Sequence, residues 1–162
     1  MDCSQVLPNL FLGSYPACVE DISRLQHEFG ITAVVAVQTT DDFAYLNVDW
    51  DRLQARYRRG GVELRWMPVR DFDLDDLCEN LPACVQALDE LVRAGHRVYV
   101  HCTMGMGRSP SVVIAYLHWV QGWDFDKAVE HVTRCRPCMP GLEAIRRARG
   151  GGRGTGDAGD RV

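Results

Sequence analysis

His101-Cys102-Thr103-Met104-Gly105-Met106-Gly107-Arg108-Ser109 holds a thiol and a guanidinium separated by five residues. Those types at that spacing suit the attack of a thiolate on the phosphorus of a phosphate ester. A free cysteine is mostly a neutral thiol near neutral pH. A helix N-terminus and a neighbouring cation favour the thiolate, which is the nucleophile. Arg108 presents a planar fork of donors that can hold two phosphate oxygens at once, which a lysine could not copy. Gly105 and Gly107 are expected to take positive φ, so that the loop curls and its amides face the anion. Ser109 is placed to hydrogen-bond the Cys102 sulfur and steady it as a leaving group when water attacks a phosphocysteine. His101 is expected to support Cys102 through backbone contacts rather than to act in catalysis.

Elements on either side must position this loop, residues Thr103 to Ser109. Arg97-Val98-Tyr99-Val100 is short, β-branched and aromatic, and predicts a buried strand. From Ser109 to Gln121, Val112, Val113, Tyr116, Leu117 and Val120 recur at helical spacing. The loop therefore runs from a strand end into a helix N-terminus, where backbone N–H groups and the helix dipole favour an anion. A phosphate ester also needs a proton for its leaving oxygen. Candidates crowd Arg70-Asp71-Phe72-Asp73-Leu74-Asp75-Asp76, a loop after the strand-like 62–67 segment. Strand ends of this kind face the ligand crevice in open α/β sheets. Residue chemistry alone does not choose among Asp71, Asp73, Asp75 and Asp76, because some are first-turn charges of the helix that follows.

The rest of the chain reads as alternating strands and helices. Strands are expected at 10–12, 33–37, 62–67 and 97–101. Helices are expected near 19–28, after Asp49 as a cap, up to Ala94, and at 109–121, 125–134 and 141–149. That order predicts an α/β fold with a mainly parallel central sheet flanked by helices. Residues 1–149 are read as one domain. From Gly150 a Gly-rich tail, 150–162, is expected to be disordered. A length of 162 residues with 46% hydrophobic and 25% charged residues is enough for a full core. The net charge of −4 and the lack of a basic run speak against nucleic acid or an anionic membrane as partner. No stretch approaches a membrane span, and the first residues carry no signal or transit pattern. A monomer in a reducing cytoplasm is the expectation, since seven cysteines cannot all pair.

An acid loop followed by His-Cys, five residues and Arg-Ser, in a chain this short, resembles the dual-specificity phosphatases of the protein tyrosine phosphatase superfamily. Asp71-Phe72-Asp73, Val100-His101-Cys102-Thr103, Gly105-Met106-Gly107-Arg108 and Trp119-Val120-Gln121-Gly122 are similar to the plant starch glucan phosphatases, the laforin-like group. So are Pro8-Asn9-Leu10, Gly13-Ser14, Gln38, Tyr45, Val48-Asp49 and Pro140-Gly141-Leu142-Glu143-Ala144-Ile145. The resemblance implies that fold, and no cofactor or metal. It also implies Cys102 as nucleophile, Arg108 as phosphate clamp and Asp71 as general acid. Tyr45 and Phe72 then become substrate-platform residues, with Met139 at a third platform position. Where that group carries alanine, this chain has Met104 and Ser109. Its groove aromatics appear as Leu46 and Met139, and one of its lysines as Gly141. Sugar rings stack on flat aromatic faces, so these changes touch substrate choice rather than catalysis.

The expected activity is thus cysteine-dependent hydrolysis of phosphate monoesters, on a phosphorylated glucan or, alternatively, on phosphoproteins. A phosphoinositide would ask for lysines where Met104 and Met106 stand. A phosphate-binding pseudoenzyme would be expected to lack the cysteine, arginine or acid. Cys135-Arg136-Pro137-Cys138 has redox-like spacing, but lies between helical segments and has no second cysteine pair for a zinc site. Trp66, Trp119 and Tyr116 read as core residues.

Overall fold

The computed structural model describes residues 1–150; of the tail expected at 150–162, Gly150 instead closes the last helix and the rest lies outside the described residues. In chain order the elements are β1 (Cys3–Leu7), β2 (Leu10–Gly13), α1 (Val19–Phe29), β3 (Ala33–Ala36), α2 (Thr40–Tyr45), α3 (Trp50–Arg59), β4 (Glu63–Trp66), α4 (Leu74–Arg93), β5 (Val98–His101), α5 (Arg108–Trp119), α6 (Phe125–Cys135) and α7 (Leu142–Gly150). The strands form one sheet in the order β1-β2-β5-β3-β4, parallel except for the β1–β2 hairpin. This is the expected α/β architecture with a mainly parallel sheet.

Side chains alternate across a strand, so each strand feeds two layers. Leu10, Leu12, Val35, Val98 and Val100 join the cluster built with α4, α5, α6 and α7. Phe11, Val34, Ala36 and Tyr99 join Ile22, Leu25, Leu53 and Tyr57 from α1 and α3 on the opposite face. Covered on both sides, β2, β3 and β5 are buried at every residue. Helix α5 is buried from Arg108 through Leu117, which fits a helix enclosed by α4, α6 and the sheet.

Two elements depart from the sequence reading. β1 has only one buried residue, Val6, so its polar edge gives no strand pattern. Helix α2 spans six residues, begins within the polar run Thr39-Thr40-Asp41-Asp42 and ends at Tyr45, in a stretch where the sequence predicts no element. Its start is fixed by a capping box: Asp42 N–H donates to Thr39 Oγ1 at 3.2 Å, and Thr39 N–H donates to Asp42 Oδ2 at 2.7 Å. Phe43 then stacks on Trp50 with ring centroids 4.3 Å apart, and Trp50 packs on Trp66 at 5.5 Å. Trp66, expected in the core, is 37% exposed because β4 is a sheet edge. The C-terminal ends of the parallel strands lead into one crevice: β5 into the phosphate loop, β3 into Gln38 and α2, and β4 into the acid loop.

Candidate active site

Main-chain bonding from outside shapes the phosphate loop. The carbonyls of Thr103, Met104, Gly105 and Met106 each accept a hydrogen bond from beyond the loop. The donors are Tyr15 N–H at 3.1 Å, Arg136 Nη2 at 2.7 Å, Arg136 Nε at 2.8 Å and Met139 N–H at 2.8 Å. With its carbonyls engaged outside, the loop can turn amides toward its concave side. Gly105 lies at φ 68° and packs directly on the Gly13 backbone, where a Cβ would collide with the Gly13 carbonyl. Gly107, also expected at positive φ, instead lies at −115° as the N-cap of α5. Only one turn residue of the loop needs the left-handed region.

Cys102 lines the floor of a cavity of about 410 Å³ that it shares with Asp71, Phe72, Met106, Arg108 and Met139. Its sulfur accepts from Gly105 N–H at 3.2 Å and from Ser109 Oγ at 3.2 Å. Two donors on one sulfur steady a negative charge there. His101 is fully buried with Nδ1 3.3 Å from the Cys102 carbonyl, the backbone contact expected of it. Burial pushes its pKa down to about 4, so the ring is neutral near pH 7.

Arg108 is buried and held by four neighbours. Its Nη1 donates to Asp42 Oδ2 at 2.7 Å and to the Val69 carbonyl at 2.8 Å. Its Nη2 donates to Thr103 Oγ1 at 3.1 Å and to Asp42 Oδ1 at 3.3 Å, and lies 3.1 Å from Asp71 Oδ2. Burial opposes the Arg108 charge, yet the Asp42 hydrogen bond and the negative groups around it hold its pKa above the ordinary value. For Asp42, burial would raise the carboxyl, but hydrogen bonds from Arg108 and Thr39 hold it below the usual range. Gln38 Nε2 donates to Thr103 Oγ1 at 3.1 Å, and Trp66 Nε1 donates to the Gln38 carbonyl at 2.7 Å, extending the network to β4.

The acid loop separates its four carboxylates by partner. Asp73 caps α4 through Asp76 N–H at 2.9 Å and pairs with Arg70 at 3.2 Å. Asp76 accepts from Arg70 N–H at 2.7 Å and pairs with its guanidinium. Asp75 pairs with Arg147 at 2.7 Å. Asp71 and Asp73 both line the Cys102 cavity, and of the four it is Asp71 that pairs with Arg108. Phe72 is fully exposed at the cavity lip with φ 55°, and Met139 lines the same cavity. Tyr45 is 90% exposed at the end of α2 and is not part of the cavity lining.

Asp42 and Arg136 escaped the sequence reading. The capping signal of Thr39 and Asp42 was present, whereas Arg136 stood inside a Cys-Arg-Pro-Cys stretch read for its cysteines. All seven cysteines are free, and among the described residues no three His, Cys, Asp or Glu side chains cluster as metal ligands.

Residues 10–146 match the family model "Dual specificity phosphatase, catalytic domain". The chain is 35% identical over 149 residues to laforin of Mus musculus, covering 86% of this chain and 45% of that protein. It is 35% identical over 146 residues to the amyloplastic phosphoglucan phosphatase DSP4 of Castanea sativa, covering 88% and 38%. The chain thus spans less than half the length of these curated relatives. Among solved structures, human DUSP28 superposes with a TM-score of 0.69 at 27% identity, covering 92% of this chain and 93% of that one. PTPMT1 in complex with PI(5)P gives 0.74 at 22% identity, covering 92% and 95%, a likeness of fold. By motif, fold and similarity, the chain belongs to the dual-specificity phosphatases, a family of cysteine-based phosphatases.

Proposed function

We propose that this chain removes phosphate from a phosphorylated glucan of glycogen or starch type. The Cys102 thiolate attacks phosphorus and the bond to the leaving oxygen breaks. Asp71 gives that oxygen its proton, leaving a phosphocysteine. Water then attacks the phosphocysteine, Asp71 takes its proton, and the thiolate departs while Ser109 donates to it. Arg108 holds the phosphate oxygens, which compete with Asp71 for Nη2 and so free the acid beside the leaving group.

The observation that carries the glucan reading is the likeness to laforin and to two phosphoglucan phosphatases, spread over 145 to 149 residues. Phe72 supports it physically. A fully exposed aromatic face at the lip of the Cys102 cavity suits stacking against a sugar ring. A phosphoprotein substrate is the second reading. Met104, Met106 and Met139 favour it, because these exposed, adaptable side chains suit peptide side chains as readily as sugars.

Phosphate release from phosphorylated amylopectin and from phosphotyrosine and phosphoserine peptides, measured side by side, separates the two. The glucan reading expects the larger kcat/KM on amylopectin. Turnover confined to the peptides refutes it and leaves the phosphatase chemistry standing.

A further inference from the structure

Among the described residues the two buried arginines, Arg108 and Arg136, both serve the phosphate loop, one from inside and one from behind. Arg108 reaches the site with its single positive charge already shared between the Asp42 and Asp71 carboxylates. The clamp by itself is therefore a weak attractor for a phosphate dianion. Arg136 lies across the loop with Nε on the Gly105 carbonyl and Nη2 on the Met104 carbonyl. Its counter-charge, Asp2, is 3.0 Å from Nη2 and 64% exposed, so water screens that partner. On the loop side the same guanidinium meets the buried Gly105 carbonyl, where its field is screened far less.

We propose that Arg136 is a positioning residue with an electrostatic share in anion capture: it fixes two adjacent peptide planes of the phosphate loop and adds positive potential from behind it. It touches neither substrate nor the reacting sulfur. Its effect passes through the Met104 and Gly105 peptides, whose carbonyls it holds outward. A lysine keeps the charge but cannot span two carbonyls and a carboxylate with one planar fork. The proposal rests on the phosphatase chemistry and is indifferent to whether the substrate is glucan or protein.

Alkylation of Cys102 by iodoacetate, an anion, and by iodoacetamide, which is neutral, tests the potential directly. The two rates are read on the Cys102 peptide by mass spectrometry at one fixed pH. In Arg136→Met the iodoacetate-to-iodoacetamide ratio falls about tenfold and inhibition by inorganic phosphate weakens by a similar factor. Arg136→Lys keeps the ratio within about twofold of the parent while kcat on an aryl phosphate stays reduced, because charge returns and the fork does not. Asp2→Asn, on a solvent-facing residue, raises the ratio about twofold. An unchanged ratio together with unchanged phosphate inhibition in Arg136→Met overturns the proposal. If that variant does not fold, a fallen ratio in Asp2→Asn, or in Arg136→Lys, overturns it equally.

Discussion

The phosphate loop and the acid loop face each other across one cavity and are built on opposite terms. In the phosphate loop, four successive carbonyls are engaged from outside, and Cys102, Arg108 and Ser109 are all buried. In the acid loop, Asp71 and Phe72 are exposed, and order comes from the start of α4 through Asp73, Asp76 and Arg70. The first loop is set by what it must do to phosphorus, common to any phosphate ester. In the proposed reaction the second is set by what the ester is attached to, so it keeps a carboxylate in reach and an aromatic face in water.

Cutting the Arg108–Asp71 link between them should show the largest effect. Asp71→Asn is expected to lower kcat on an alkyl phosphate or phosphoglucan by about 10²- to 10⁴-fold and to spare an aryl phosphate, whose phenoxide leaves without a proton. Equal losses on both substrates would remove Asp71 from the acid role. The inner loop is better probed at Asp42. Asp42→Asn keeps the shape but takes away the charge that orients the Arg108 fork. We expect a fall in kcat of about 10²-fold on both substrate types. A fall on one type only would tie Asp42 to the leaving group instead.

Acid should separate the loops by stability. His101 is buried neutral, its pKa pushed down to about 4 by desolvation, against about 6.5 for a free imidazole. Below pH 6.5 the unfolded chain takes up a proton that the folded chain refuses, so stability falls from there down to about pH 4. Denaturant titration at pH 7 and pH 5 should differ by about 2 kcal/mol from this group, and a His101→Gln variant should show a shallower slope. The smallest effect belongs to the rim. Phe72→Gly relieves a left-handed backbone at a non-glycine residue, raising stability by up to about 1 kcal/mol while weakening glucan turnover and sparing an aryl phosphate. Loss of stability in that variant would mean that Phe72 packs rather than presents itself.

The same contrast governs what could be read before any coordinates. Cys102, Arg108, Ser109 and the flanking strand and helix were legible because the thiol, the guanidinium and the helix entry lie within one short stretch. Asp71 was not separable from Asp73, Asp75 and Asp76 by residue type. The family resemblance singled it out, and in the structure the other three pair with α4, Arg70 and Arg147 while Asp71 lies on Arg108. Asp42 and Arg136 were out of reach for another reason: each meets the loop across a long sequence separation, and no local period reports such a contact. β1 and α2 were lost to short length and polar faces, where burial supplies no pattern.

Gly13 and Gly105 meet main chain to main chain, at the place where the end of β2 abuts the curve of the phosphate loop. Neither position has room for even a methyl group, so the anion cradle has a gauge that cannot be widened or narrowed from within. Any drift toward a new ester has to be accommodated by Met104, Met106, Met139 and Phe72, which stand in solvent and are free to change. A single inherited cradle can therefore serve many alcohols.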